Sequence, residues 1–342
     1  MRFPHSKPSD VPSKKWYKYE NGNGCYYSHN PNKFDDRSVA GDGSRMPTPK
    51  EALDHMLALK PNGNGTIEFN DGVFSVRREK PASVCELPSG TYYYKCEDYP
   101  HPDRLVPTDF RSDHYVEMPQ ITTNIMKDVN CFLDNRQVYQ DLKIIYKTGF
   151  LLYGVPGTGK TALIRHLVRT QFPKDTITIV ITKWLPSNEI LENLKETTGD
   201  RLKVFILEEF TGFTQNEFDM EGILNFLDGE QSIDNSLFFC STNYPEILPH
   251  TIVARHSRIE YLHKIDVPDH EERKKLLGYY LKREMTDEEV KLTEKMTADN
   301  VKEICLLCWT KKLTLEEAIK AVKDHLAVAK NAFKGKNIKL GI

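Results

Sequence analysis

The sequence predicts an α/β fold, a parallel sheet with helices on both faces, followed by a helical C-terminal domain and preceded by a small mixed α+β domain. Three observations predict it. From residue 149 apolar runs alternate with helical patterns: GFLLYG then TALIRHLVRTQF, TITIVIT then NEILENLKE, KVFILEEF then MEGILNFLDG, and SLFFCSTN. Such alternation is what a buried parallel sheet with crossover helices requires. Past residue 268 the pattern is purely helical, and before residue 118 two β-prone runs flank Asn70-Asp71-Gly72, a short hairpin signal.

Composition bounds the class. The 342 residues suffice for two or three compact units. Apolar residues at 39% and charged residues at 28% are ordinary globular usage, which argues against a largely disordered or membrane-embedded chain. With 47 Lys and Arg against 49 Asp and Glu, the net charge is -2, so the overall positive field of a nucleic-acid binder is missing and nucleic acid is not an expected partner. No window approaches the roughly 20 apolar residues that a spanning helix needs, and MRFPHSKPSD lacks the apolar core of a secretory signal. No membrane span and a cytoplasmic location are expected. Seven cysteines without framework spacing suit a reducing compartment. Cys305 and Cys308 fall with Val301 and Ile304 on one helical face, as core thiols do. Cys25 and His29 have no second ligand pair at zinc-like spacing.

Residues 1–44 are rich in Gly, Asn, Pro, Ser, Lys and Asp and read as a flexible tail. Residues 45–118 read as the small α+β domain, with a helix in PTPKEALDHMLAL, the Asn70-Asp71-Gly72 hairpin and a strand in GTYYYKCEDY. Nothing there has catalytic spacing, so an adaptor or packing role is expected. Residues 119–268 form the large α/β domain, entered through ITTNIMKDVNCFLDN with Ile125, Val129 and Phe132 on one face. Residues 269–335 form the helical domain. Its helix starts carry capping-box spacing at Asp269 with Glu272, Thr286 with Glu289 and Thr314 with Glu317, and its last helix should bury Ile319, Val322, Leu326 and Ala329. Residues 336–342 close the chain as a tail.

The chemistry begins at GVPGTGKT. Gly154, Gly157, Gly159, Lys160 and Thr161 match G-x-x-x-x-G-K-[ST], directly after an apolar strand and before a helix. Glycines let the backbone curl so that successive N–H groups and the helix N-terminus face a polyphosphate. The cradle comprises Gly154, Val155, Pro156, Gly157, Thr158, Gly159, Lys160, Thr161 and Ala162. Lys160 would neutralise the outer phosphates, and Thr161 would ligate magnesium. KVFILEEF ends in two acids at the carboxyl edge of the same sheet. Glu208 would hold the magnesium shell, and Glu209 would act as general base on the attacking water. SLFFC runs into Ser241, Thr242 and Asn243, whose amide could orient that water; turn formation is the plainer reading. In PHTIVARHSRIEYL, Arg255 and Arg258 stand three apart at a helix end and would point the same way, toward a neighbour's γ-phosphate, or form surface ion pairs. His256 carries no assignment.

These elements, in this order and followed by a lid of capped helices, resemble the AAA family. More narrowly, GFLLYGVPGTGKT, the ILNFLDG helix and STNYPEIL before an R-x-x-R segment resemble the bcs-type AAA ATPases, a group with a mitochondrial Rieske-protein translocase and soluble bacterial or viral forms. The resemblance covers roughly residues 119–330 and implies a P-loop AAA core that hydrolyses ATP with Mg2+. It also implies a homo-oligomeric ring of six or seven subunits doing mechanical work on a protein client. By motif position it makes Asn243 the sensor and Arg255 and Arg258 the fingers acting in trans. The sequence departs from the family in carrying Glu208 where Asp is usual and His256-Ser257 where Pro-Gly is usual. It also lacks an aromatic-Gly pore loop in ITKWLPSNEILENL, where Trp184 and Leu185 could instead face a channel or the core. A clamp-loader-like nucleic-acid motor and a slowly hydrolysing ATP-dependent scaffold are the alternatives, separable by salt-dependent DNA binding and by ring assembly without phosphate release.

Overall fold

The computed structural model describes residues 86–96, 104–108, 115–215, 217–228, 232–255 and 257–332, with the backbone of strands at 16–21, 24–28, 38–40, 65–70, 73–78 and 83–85. The helix expected in PTPKEALDHMLAL, His29, His256 and the C-terminal tail lie outside the described residues. The chain divides into two compact units, residues 1–108 with 184–201, and residues 109–183 with 202–342.

The first unit is antiparallel. Strands β1 (Trp16–Asn21) and β2 (Gly24–Ser28) pair with Asn21 opposite Gly24. They lie within the stretch whose composition predicts a tail. Composition averaged over forty residues hides a local pattern there: WYKYEN and GCYYS are rich in β-prone aromatics and separated by Gly22-Asn23, a hairpin dipeptide. Strands β3 (Ser38–Ala40), β4 (Gly65–Asn70) and β5 (Val73–Arg78) form a sheet ordered β3-β5-β4, with Asn70 opposite Val73 as the Asn-Asp-Gly signal requires. Strands β6 (Ser83–Cys85), β7 (Gly90–Lys95) and β8 (Arg104–Pro107) join the hairpin in the order β7-β8-β2-β1-β6. Tyr92, Tyr94 and Leu105 are buried, and the Tyr92 hydroxyl donates to the Pro88 carbonyl at 2.6 Å, which satisfies its polar tip.

The second unit begins with α1 (Pro119–Asp134), whose proline occupies the first turn, where no N–H partner is needed. Ile125, Val129 and Phe132 are buried on one face, as their spacing predicts. Helix α2 (Arg136–Leu142) follows, then β9 (Lys147–Tyr153), α3 (Lys160–Thr170) and β10 (Ile177–Ile181). Helix α4 (Asn188–Thr198) groups with the first unit. Next come β11 (Lys203–Leu207), a 3-10 turn over Phe210–Thr214, α5 (Glu217–Asp228), β12 (Ser236–Thr242), α6 (His250–Val253) and β13 (Tyr261–Lys264). The strand order β13-β9-β12-β11-β10 is parallel throughout. Every residue of β10, β11 and β12 is buried, which explains their unbroken apolar runs. Phe205, Phe238 and Phe226 stack and cross at centroid distances of 5.2 to 5.3 Å, fixing α5 on the sheet.

The helical lid consists of α7 (His270–Leu281), α8 (Asp287–Lys291), α9 (Ala298–Thr310) and α10 (Leu315–Ala332) around its own core, including Leu276, Val290, Ile304, Cys305 and Ile319. Cys305 is thus a core hydrophobe, and Val322 is buried beside Ile319 while Leu326 packs partly against the cluster. The three expected capping boxes are formed. A fourth, Thr297 with Asn300, starts α9. Asn at its third helical position escapes a search for Glu or Gln, yet its amide oxygen accepts from the Thr297 N–H at 3.2 Å just as a carboxylate would.

Candidate active site

The parallel sheet delivers its carboxyl ends to one edge, and the chain turns there from β9 into α3. Gly154 leaves β9 where β13 ends: a Cβ on it would sit 2.1 Å from the Ile265 carbonyl oxygen, so only glycine lets the loop start this close to the sheet. Its N–H donates to the Thr242 carbonyl at 3.3 Å, which ties the loop to the end of β12 and sets Asn243 beside it. The loop and its surroundings enclose a cavity of about 460 Å³ lined by Pro156, Gly157, Gly159, Lys160, Thr161, Ala162 and Asn243.

Lys160 opens α3 and is 8% exposed. Its Nζ donates to the carbonyls of Gly154 at 2.9 Å and Val155 at 3.0 Å. Burial pushes the ammonium down to about 8, while the Asp299 carboxylate opposes that shift. A desolvated cation in a loop of backbone N–H groups is a receptor for an anion of several charges. The Thr158 hydroxyl donates to the Val155 carbonyl at 3.1 Å and stiffens the loop from inside.

Opposite the loop the walls come from segments that sequence reasoning did not single out. Tyr115, Val116 and Met118 line the cavity ahead of α1, and Leu276, Tyr280, Ala298, Asp299 and Lys302 line it from the lid. Tyr115 is fixed by a hydrogen bond between its hydroxyl and Thr122 at 2.8 Å and by stacking on His166 of α3 at 4.5 Å. The lid touches the loop directly: the Asp299 N–H donates to the Gly157 carbonyl at 3.0 Å. Gly157 has φ +80°, and a Cβ there would lie 3.0 Å from Thr297 Oγ1 and 3.1 Å from Asp299 Cβ, so this glycine serves lid docking as well as loop curvature. No local sequence signal marks these residues, because they meet only through tertiary structure.

The two acids occupy unlike environments. Glu208 extends β11 by one rung, its N–H donating to the Ile181 carbonyl at 3.2 Å, and its Oε1 is buried without a hydrogen-bond partner. Burial raises its pKa, the Arg165 guanidinium pulls it back, and the Glu209 charge raises it further. Glu209 is exposed and takes a left-handed backbone conformation, φ +51°, a strain of roughly 1 kcal/mol for a non-glycine residue. Its carbonyl accepts from Gly212 N–H at 2.7 Å and so begins the 3-10 turn. β12, which leads directly into Asn243, lies between β11 and β9. Among the described residues no group of three or more His, Cys, Asp or Glu side chains could hold a metal by itself. The donor set instead fits a hydrated Mg2+ shared with a polyphosphate, because such an ion keeps most of its waters and needs only a hydroxyl such as Thr161 and an unpaired buried carboxylate oxygen such as that of Glu208.

The arginines do not point the same way. α6 ends at Val253; Arg255 is exposed, whereas Arg258 is 9% exposed and turned into its own chain, its Nη1 donating to the Thr251 carbonyl at 2.6 Å. The expected common direction assumed a helix continuing through both residues, and none does. Trp184 is half-exposed.

A glycine-looped lysine at the mouth of a five-stranded parallel sheet, with an acid pair two strands away and a helical lid over the pocket, defines a P-loop ATPase fold. Residues 150–267 match the model of the ATPase family associated with various cellular activities (AAA), so this part of the chain is similar to an AAA ATPase domain. It is 29% identical over 157 residues to "Probable mitochondrial chaperone bcs1" of Schizosaccharomyces pombe, covering 42% of this chain and 35% of that one. It is 26% identical over 147 residues to "Mitochondrial chaperone BCS1" of Homo sapiens, covering 39% and 35%, and 24% identical over 200 residues to "Proteasome-activating nucleotidase" of Sulfurisphaera tokodaii, covering 51% and 50%. The chain spans about a third of the length of the bcs-type relatives it matches. Among the described residues no helix is long and apolar enough to cross a membrane.

Proposed function

We propose that this chain binds and hydrolyses ATP with Mg2+ as a ring of identical subunits, six or seven to the ring, and uses the motion to remodel or translocate a protein client. The observation that carries the reading is the cavity at the phosphate loop, lined by Lys160, Thr161 and Asn243 together with the lid residues Tyr280 and Asp299. Bound there, Mg2+ would supply charge neutralisation on the β- and γ-phosphates, held by Thr161 and through water by Glu208. Lys160 and the loop N–H groups of Gly157 to Ala162 bind and orient the phosphates. Tyr115, Leu276 and Tyr280 offer an apolar slot for the base. Glu209 accepts the proton of the attacking water, and its exposed position suits a group that must meet water. Asn243 orients that water. Arg255, on the exposed side of the domain, reaches the site of the next subunit, where a guanidinium stabilises charge in the transition state.

The test uses two variants. Glu209→Gln should bind ATP as tightly as the parent protein while turnover drops by about 10²-fold or more, measured as phosphate release under saturating nucleotide. Undiminished turnover would remove Glu209 as the base. Mixing Arg255→Ala with Lys160→Ala protein, each inactive alone, should restore part of the hydrolysis at mixed interfaces. A slowly hydrolysing scaffold is a second reading, favoured by the raised pKa of Glu208; ring assembly on ATP without measurable phosphate release would select it.

A further inference from the structure

Arg258 is tied to its own subunit by a network that also holds the loop carrying Arg255. Arg258 Nη1 donates to the Thr251 carbonyl at 2.6 Å, and its Nε lies 3.7 Å from Asp228 Oδ2. That same carboxylate oxygen accepts from the Ser257 hydroxyl at 2.8 Å. The other oxygen of Asp228 is 3.2 Å from Lys147 Nζ, which also donates to the Leu227 carbonyl at 2.7 Å and to Ser232 Oγ at 3.0 Å. The loop itself is closed by backbone bonds, since the N–H groups of Arg258 and Ile259 donate to the Arg255 carbonyl at 3.0 Å and 3.4 Å. Asp228 is the last residue of α5, the helix that follows the 3-10 turn capped by Glu209. A continuous run of elements therefore joins one subunit's acid pair to the loop it presents outward.

We propose that Arg258 is a positioning residue, anchored by Asp228 within its own subunit, that fixes the loop presenting Arg255 to the next subunit, and that Arg255 alone acts across the interface. The inference rests on the reading that hydrolysis is completed in trans. To reach outward, Arg258 would have to leave Thr251 and abandon a carboxylate that is only partly exposed, and breaking one member of such a network leaves the others unpaired. Held in place, it fixes the backbone from which Arg255 projects, and a displacement of about 1 Å at a catalytic guanidinium costs on the order of 10²-fold in rate.

The experiment places every change in the subunit that donates the arginine. Lys160→Ala protein, which cannot use its own nucleotide site, is mixed with Arg255→Ala protein, whose site is intact, and kcat and KM for ATP are measured on the mixture. Adding Asp228→Asn or Arg258→Ala to the Lys160→Ala donor should each lower kcat by about 10-fold or more with KM within about 2-fold, and the two together should be no worse than either alone, as expected of one unit. Ser257→Ala in the donor, a milder change, should give a smaller loss in the same direction. A donor with Asp228→Asn that keeps full kcat while Arg258→Ala loses it would show Arg258 acting across the interface directly and overturn the proposal. So would full kcat with both changes. If Arg258→Ala protein does not assemble, Asp228→Asn and Ser257→Ala decide, and unchanged kcat in both rejects the anchor. Failure of the unmodified Lys160→Ala donor to restore any hydrolysis is a different result: it refutes the shared site, and with it the role given to Arg255 and its anchor.

Discussion

Replacing Lys160 by methionine should change stability in a pH-dependent way that can be worked from its surroundings. The ammonium is 8% exposed and its pKa is lowered from 10.5 to about 8. Because the folded value lies below the unfolded one, the charged lysine opposes folding. The full cost applies below pH 8 and fades as pH rises toward 10.5. The difference corresponds to roughly 3 kcal/mol if the group is fully shielded, and to about 2 kcal/mol once screening through the open cavity is allowed for. Methionine removes that cost and also removes the hydrogen bonds to Gly154 and Val155, worth together about 1 kcal/mol or somewhat more at any pH. Without nucleotide, Lys160→Met should therefore match or exceed the parent at pH 7 and lose about 1 kcal/mol relative to it by pH 9.5, a change of roughly 2 to 4 °C in the difference of Tm. The assay is thermal unfolding of both proteins across that range. With Mg-ATP at 100 times its Kd the parent should gain about 2.7 kcal/mol and the variant almost nothing. A gap in Tm that stays constant from pH 7 to 9.5 would refute the reasoning.

Gly157→Ala should weaken nucleotide binding by about 10-fold or more and loosen the lid, because the new methyl meets Thr297 and Asp299 at a backbone angle that alanine disfavours; hydrogen exchange in α9 should rise with it. Tyr115→Phe, which removes the hydroxyl with its bonds to Thr122 and the Met118 backbone but keeps the ring, should leave ATP affinity within about 3-fold, whereas Tyr115→Ala should cost about 10-fold by removing a cavity wall; equal effects in a direct titration would reject the wall. Thr297→Ala should lower the unfolding free energy by about 1 kcal/mol through loss of the α9 cap, seen as a lower denaturant midpoint.

The sheet, the phosphate loop and the lid were legible because each is a local pattern. Apolar runs such as KVFIL mark strands buried on both faces, G-x-x-x-x-G-K-T places a curl between strand and helix, and paired Thr and Glu mark helix starts. The other half of the pocket was not legible. Tyr115 and Asp299 are separated by more than 180 positions, and their side chains resemble any surface tyrosine or aspartate until the fold brings them to one cavity. The direction of Arg258 is not legible in the sequence for a related reason. Spacing predicts direction only along a continuing helix, and α6 stops at Val253, so a chain turn rather than helical periodicity decides where each guanidinium goes. Asp228 carries no local signal, because an aspartate at a helix end ordinarily reads as solvated.

The lid is attached so that a ligand in the cavity can bias its position. Its helices enclose a core of their own, so it can shift as a body without exposing Leu276, Ile304 or Ile319. Its tie to the phosphate loop includes the backbone bond from Asp299 to Gly157, worth about 1 kcal/mol by itself. A ligand touching Lys160 on one side and Tyr280 or Lys302 on the other bridges both bodies, and the free energy of that bridge adds to lid docking only while the ligand is whole. Asp299 gives the lid a carboxylate close to Lys160, so it is attracted to the loop when no phosphate is bound and repelled by phosphate when one is. In the proposed reaction, cleavage of the terminal phosphate would weaken that bridge and free the lid to move as a body, which a neighbouring subunit of the proposed ring could feel.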